Sequence, residues 1–95
     1  MTIETRLKEL GIEIPEISTP VANYIPATFA GNELRTSGQI PMKDGELQFK
    51  GSVPSEQSVE SATEAARLCG INAIAAAGAL LDGNLNRISR VIQLK

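Results

Sequence analysis

The side chains that most often carry chemistry in proteins are scarce in this sequence. It contains no His and a single Cys, Cys69. His is the commonest general base and metal ligand, and a thiolate cluster or an intrachain disulfide needs at least two Cys. We therefore expect no metal site and no Ser-His-Asp triad. Cys69 lies in an apolar helical pattern, and we interpret it as a small buried hydrophobe of a reducing compartment.

The remaining candidates are carboxylates, hydroxyls, cations and main-chain groups. Glu60 and Glu64 lie one helical turn apart, which is the spacing of a solvated helix face as well as that of a carboxylate pair. Asp82 stands near a predicted helix end, where turn formation explains it. Gly38 follows Ser37 at a predicted strand end and could offer its main chain to a ligand. From the residues alone, the catalytic groups and the function stay open.

Charge and hydropathy narrow the class of protein. Nine Lys and Arg against eleven Asp and Glu give a net charge of −2, which is the wrong sign for binding a phosphate backbone, so we expect no nucleic-acid partner. The most apolar stretch, Ile71 to Leu81, is interrupted by Asn72 and Gly78 and is too short for a bilayer. Without a secretory signal pattern either, the sequence predicts a soluble, cytoplasmic protein. Its 95 residues fit one domain.

The N-terminal residues predict a short helix followed by an extended arm. Thr2 can cap a helix from Ile3 to Leu10, and Gly11 ends it. Prolines 15 and 20 prevent a regular ladder in the following residues 12–20, so we expect these to lie extended on another surface.

A β-hairpin is predicted next. Val21 to Ala30 is apolar and β-prone, Gly31-Asn32 is a two-residue turn, and Glu33 to Ser37 is the return strand. Alternation places Leu34 and Thr36 on one face of that strand and its charged residues on the other.

The best-defined element is a long helix from Ser58 to Leu81 with an alanine-rich face and Ser58 as its cap. Leu47 to Lys50 is a short strand candidate, and Ile88 to Leu94 alternates as a further strand. One helix packed on one face of a mostly antiparallel sheet is an α+β arrangement.

Three sequence features carry a family resemblance. The pattern Y-x-x-x-x-x-x-G-N-x-x-x-x-S-G-Q-[IL]-P occurs here with the same spacing, at Tyr24, Ala30-Gly31-Asn32 and Thr36 to Pro41. In this stretch the chain resembles the RidA (YjgF) family. The long helix and the segment after it are similar in type and placement to that family's first helix and following strand. The N-terminal extension looks like that of a longer, less characterised branch.

The resemblance implies a chorismate-mutase-like α+β subunit with a mixed sheet, a homotrimer, and ligand sites in clefts between subunits. Members hydrolyse enamines and imines, such as 2-aminoacrylate, to 2-keto acids and ammonia without a metal or organic cofactor. Carried over by position, Tyr24 would border the cleft, and Ser37 and Gly38 would line it against a small carboxylate substrate. Tyr24 could instead be a half-buried aromatic residue, and Ser37 could simply bond a neighbouring main-chain group.

Because family members continue beyond the last strand predicted here, the resemblance implies either a chain that is incomplete at its C-terminus or a protein that has lost its carboxylate anchor and cannot perform the family reaction alone. We interpret residues 1–95 as a single RidA-like domain, with the helix and arm in residues 1–20 and the sheet and helix core in residues 21–95. In the family, a second helix, two more strands and the carboxylate-binding Arg follow. Pro26 stands where deaminating members often have Gln, and Arg35 stands where the family's strand is apolar. We interpret Arg35 as a solvent or interface residue rather than as a replacement anchor. Alternatives are a non-catalytic trimeric binding protein for small carboxylates and an endoribonuclease-type translation inhibitor.

Overall fold

A computed structural model describes residues 2–15 and 25–95 of the protein. Tyr24, the end of the predicted arm and the start of the predicted first strand lie outside these ranges. The described elements, in chain order, are α1 (Ile3–Glu9), β1 (Ala27–Ala30), β2 (Glu33–Thr36), β3 (Met42–Lys43), β4 (Glu46–Leu47), α2 (Val59–Leu80) and a 3₁₀ turn (Leu85–Arg87).

The N-terminal helix α1 forms as predicted, and hydrogen bonds stabilise both its N-cap and its first turn. The Thr2 hydroxyl accepts a hydrogen bond from the Thr5 N–H at 3.1 Å. Asn86, in the 3₁₀ turn, accepts from the Ile3 N–H at 2.8 Å and donates to the Glu4 carboxylate at 2.6 Å. The bonds from the Thr5 and Ile3 N–H groups satisfy donors that every helix start leaves open. The two bonds of Asn86 hold α1 against the 3₁₀ turn that follows α2.

The predicted hairpin is formed by β1 and β2 around Gly31-Asn32. Its register pairs Ala27 with Thr36 and Phe29 with Leu34. Gly31 has a φ of 63° at the first turn position, which is the conformation that favours glycine in a type II′ turn. Leu34 and Thr36 share a face with buried Ala27, as predicted. Burial does not alternate along β2, since Glu33 and Leu34 are both half-buried while Arg35 and Thr36 are both exposed.

A second, shorter hairpin follows. Asp44 and Gly45 have φ values of 54° and 79°, and their turn pairs β3 directly with β4. The predicted strand from Leu47 to Lys50 is therefore wrong in its bounds, because the turn starts the ladder at Glu46. The ladder stops early because Pro41, opposite Gln48, has no N–H to donate, although its carbonyl accepts from the Gln48 N–H at 2.9 Å.

The long helix α2 packs its small residues on both hairpins. The Ser58 hydroxyl accepts from the Ser61 N–H at 3.0 Å and caps it as predicted. At the other end the Gly83 N–H donates to the Gly78 carbonyl at 2.7 Å, which closes the helix. Among the described residues the buried core is small and consists of alanines, one glycine and two leucines: Ala27, Ala75, Ala76, Ala77, Gly78, Leu81 and Leu85.

The structure corrects the predicted strand from Ile88 to Leu94. Residues 88–95 have no regular secondary structure, and Val91 and Leu94 are 76% and 87% exposed. A strand needs a neighbour that completes its backbone hydrogen bonds, and the described part of the chain pairs its strands into two separate antiparallel hairpins. The α+β class is confirmed. Within residues 2–15 and 25–95, neither helix combines the length and apolar content needed to cross a bilayer.

Candidate functional site

The predicted site residues Ser37 and Gly38 begin the β2–β3 connection, which we define as residues 37–41. The Ser37 N–H donates to the Pro26 carbonyl at 2.8 Å and so extends the hairpin ladder by one bond. The Gln39 amide folds back and donates to the Ser37 carbonyl at 3.2 Å and to the Ser37 hydroxyl at 3.3 Å. The first half of the connection is therefore held to the end of the hairpin.

Gly38, the second residue of this connection, is exposed. A Cβ added there would meet no heavy atom within 4 Å, and its φ lies outside the left-handed region. Glycine is usually needed where φ is positive or where another group approaches the backbone closely. The described part of the chain supplies neither reason, and none of its heavy atoms lies within 4 Å of the position that a Cβ at Gly38 would take.

The second half of the connection is held by the helix α2. The Asn72 amide nitrogen donates to the Ile40 carbonyl at 3.0 Å and to the Met42 carbonyl at 2.9 Å. The Met42 N–H also donates to the Ile40 carbonyl, at 2.8 Å, across Pro41. This bond spans two residues, which is the pattern of a γ-turn, and the fixed φ of proline suits its centre.

In the sequence, Asn72 stands out only as an interruption of an apolar helical stretch. A short amide on the sheet-facing side of a helix needs hydrogen-bond partners from the element it faces. That requirement was the signal for its role. The identity of the partner carbonyls, 30 and 32 residues earlier in the chain, depends on tertiary packing.

The other residues considered as candidates from the sequence lie outside the β2–β3 connection. Arg35 is on the solvent side of β2, with a side chain 70% exposed, and its guanidinium contacts the Glu33 carboxylate at 3.0 Å. Its interpretation as a solvent or interface residue fits this position. Glu60 and Glu64 are exposed on α2. Asp82 has a φ of 54° in the turn after α2, which confirms its role in turn formation.

A separate cavity of about 130 Å³ lies between α2 and the segment that precedes it. Ser37 and Gly38 are not among its lining residues. The Gln57 amide, on its wall, donates to the Lys50 carbonyl at 2.8 Å and accepts from the Ser61 hydroxyl at 2.7 Å, so both of its polar atoms are already bonded. The lining residues are Phe49, Lys50, Gly51, Val53, Gln57, Ala62 and Ala65.

The groups gathered at the β2–β3 connection are suited to binding rather than to proton transfer. They comprise the Ser37 hydroxyl, the Gln39 amide and main-chain donors and acceptors, none of which titrates near neutral pH. In residues 2–15 and 25–95, no three His, Cys, Asp or Glu side chains lie close enough to hold a metal ion. The arrangement can orient a polar ligand that brings its own reactive group.

Comparison with known proteins places these features in a family. Residues 4–95 match the family described as "YjgF/chorismate mutase-like, putative endoribonuclease". Protein TCP17 of Trypanosoma cruzi is 32% identical over 92 residues, which cover 97% of this chain and 57% of that protein.

Two crystal structures share the fold. Protein Atu1372 of Agrobacterium tumefaciens is 44% identical with a TM-score of 0.80, and the match covers 95% of this chain and 53% of that one. A protein of Shewanella oneidensis MR-1, described as a putative endoribonuclease, is 36% identical with a TM-score of 0.85, over 96% and 60% of the two chains. This chain thus spans between half and two thirds of the length of these relatives, and it belongs to the YjgF/chorismate mutase-like family.

Proposed function

We propose that this chain supplies the Ser37–Gly38 part of a site that binds 2-imino and 2-enamino acids and assists their hydrolysis to 2-keto acids and ammonia. The observation that carries the proposal is Gly38, an exposed glycine beside Ser37 that, within residues 2–15 and 25–95, neither its own φ nor a neighbouring atom requires. An absent Cβ beside Ser37 lets a small carboxylate approach the main chain closely.

The proposed reaction makes few demands on protein acid–base chemistry. The carbon of a protonated imine is electrophilic, so water adds its oxygen there and the C–N bond then breaks, which leaves a 2-keto acid and an ammonium ion. An enamine first takes a proton at carbon to become the imine. The protein then contributes by anchoring the carboxylate and by placing water near that carbon. This suits a chain without His.

The carboxylate anchor would come from outside residues 1–95 in this proposal. A guanidinium binds a carboxylate in a bidentate way, and family resemblance puts that Arg after the long helix and its following strand. Arg35 is a poor replacement because it faces solvent and already contacts Glu33. We further propose a cytoplasmic homotrimer, in which adjacent subunits complete the cleft around the β2–β3 connection.

The test uses a fusion protein in which the segment of the Shewanella oneidensis relative that follows the matched region is joined after Lys95. A dehydratase generates 2-aminoacrylate, and release of the 2-keto acid is followed with and without the fusion protein. We expect acceleration by the fusion protein and none by the 95-residue chain or by the added segment alone. No acceleration by the fusion protein would refute the deaminase proposal.

The same experiment separates the alternatives. A fusion protein that binds 2-keto acids without accelerating their release would be a non-catalytic carboxylate-binding protein. Cleavage of a single-stranded RNA would instead support the ribonuclease activity named in the family description. The acidic balance of the chain and its lack of His oppose that activity, because RNA binding favours cations and RNA cleavage usually needs a proton shuttle.

A further inference from the structure

We infer that Asn72 is a positioning residue of the proposed site, which holds the β2–β3 connection so that the main chain at Gly38 meets the ligand. The inference rests on the proposed function, because that function identifies the site that the β2–β3 connection forms and the ligand that it meets. Asn72 itself touches two carbonyls of the protein and no part of the site that would contact substrate.

The geometry of Asn72 is that of a clamp. An Asn amide nitrogen carries two N–H donors, and here one nitrogen lies 3.0 Å from the Ile40 carbonyl oxygen and 2.9 Å from the Met42 carbonyl oxygen. The side chain is short, and it projects from a helix of 22 residues. A short side chain on a rigid element fixes its partner's position more narrowly than a long one on a loop.

The clamp acts at the end of the connection that the hairpin does not hold. Ser37 is bonded to Pro26 and to Gln39, so the first half follows β1 and β2. The second half is bonded to Asn72 and, through the Pro41 carbonyl, to Gln48. Gly38 lies between these two parts of the connection, so the hydrogen bonds of Asn72 are among those that fix the path of the main chain beside it.

An apolar residue at position 72 would extend the alanine-rich face of α2 but could not hold the carbonyls of Ile40 and Met42. The hydrogen bond to the Ile40 carbonyl is exposed and the one to the Met42 carbonyl is part-buried, so water could replace the amide as their partner. Solvation of the carbonyls alone therefore does not require Asn72, whereas a fixed backbone orientation does. The two roles differ in what a substitution changes: a solvation role affects stability alone, and a positioning role affects ligand binding in the folded protein.

The first test measures hydrogen exchange in the 95-residue chain. Asn72→Asp keeps the size of the side chain and removes both donors, and Asn72→Ala removes the amide. Asn86→Ala is the matched control, because Asn86 also makes two tertiary hydrogen bonds but at α1. We expect the Met42 N–H to exchange about tenfold faster in both Asn72 variants and at the wild-type rate in the control. An unchanged rate in Asn72→Asp would overturn the inference.

The second test measures steady-state kinetics of the fusion protein at a temperature where every variant is folded. A contact that holds a binding group equally in ground and transition states affects KM, so we expect KM to rise about tenfold in Asn72→Asp with kcat within about twofold. Loss of folded protein alone would lower apparent kcat at constant KM and would show that Asn72 is only structural. If the wild-type fusion protein is inactive, the proposed function fails, and the exchange rates still decide whether Asn72 holds the connection.

Discussion

Substitution of Gly38 by Ala tests whether the fold or a ligand requires glycine at this position. In the described structure the added Cβ enters space with no heavy atom within 4 Å, at a backbone conformation that alanine can adopt. The added methyl group therefore introduces no clash with residues 2–15 and 25–95. If glycine is present to admit a ligand, the same methyl group takes up the space the ligand needs.

The two effects have opposite signs and can be estimated. A Gly→Ala change at a compatible conformation stabilises a protein by about 0.4–1 kcal/mol, mainly because the unfolded chain has fewer states to lose. For a domain of this size that corresponds to a rise in Tm of roughly 2–8 °C. A disturbed hydrogen bond to a charged ligand group costs about 1.5–3 kcal/mol. We therefore expect kcat/KM of the fusion protein to fall by roughly 10- to 150-fold.

Thermal unfolding of the 95-residue chain and keto-acid release by the fusion protein measure the two effects. Gly51→Ala is the contrasting variant, because its φ is 112° and its Cβ would lie 2.6 Å from the Glu56 Cβ. We expect Gly51→Ala to lower Tm. A fall in Tm for Gly38→Ala as large as that of Gly51→Ala would show that the fold requires this glycine. Wild-type activity in Gly38→Ala would show that no ligand uses the space.

Three further substitutions test the structural account by urea unfolding and hydrogen exchange. Asn86→Ala should speed exchange in α1 while leaving α2 protected, because it removes the bonds to Ile3 and Glu4; equal protection of α1 in both proteins would contradict this. Ser58→Ala should cost about 1 kcal/mol of unfolding free energy through loss of the α2 cap, and a cost near zero would argue against that cap. Gly78→Ala should stabilise by up to about 1 kcal/mol, since its Cβ would meet the flexible end of Leu85 at 3.4 Å, and destabilisation would mean that this contact cannot adjust.

Local chemistry made several elements predictable from the sequence. Thr2 and Ser58 predict the starts of the two helices, because their hydroxyls accept hydrogen bonds from the N–H groups three residues later in the chain. Gly31-Asn32 predicts the hairpin, because a two-residue hairpin loop needs a residue with a positive φ, which Gly31 adopts. These signals act within a few residues, so the two helices and the first hairpin follow from them directly.

Features that depend on distant partners could not be predicted in this way. The alternation from Ile88 to Leu94 is that of a strand, but alternation does not supply a neighbour, and the described residues offer it none. Asn72 and Asn86 each bond groups 30 or more residues away, which only packing brings close. Of the predicted site, Ser37 and Gly38 are adjacent in one connection, and Tyr24 lies outside the described residues and stays a prediction.

The most direct test of the proposed site is an NMR titration of the ¹⁵N-labelled fusion protein with 2-oxobutanoate, a 2-keto acid product analogue. The account predicts saturable shifts of the Ser37 and Gly38 amide signals, and much weaker binding to the Gly38→Ala variant. Saturable shifts confined to the cavity around Phe49 and Val53, or no shifts at the β2–β3 connection, would contradict it.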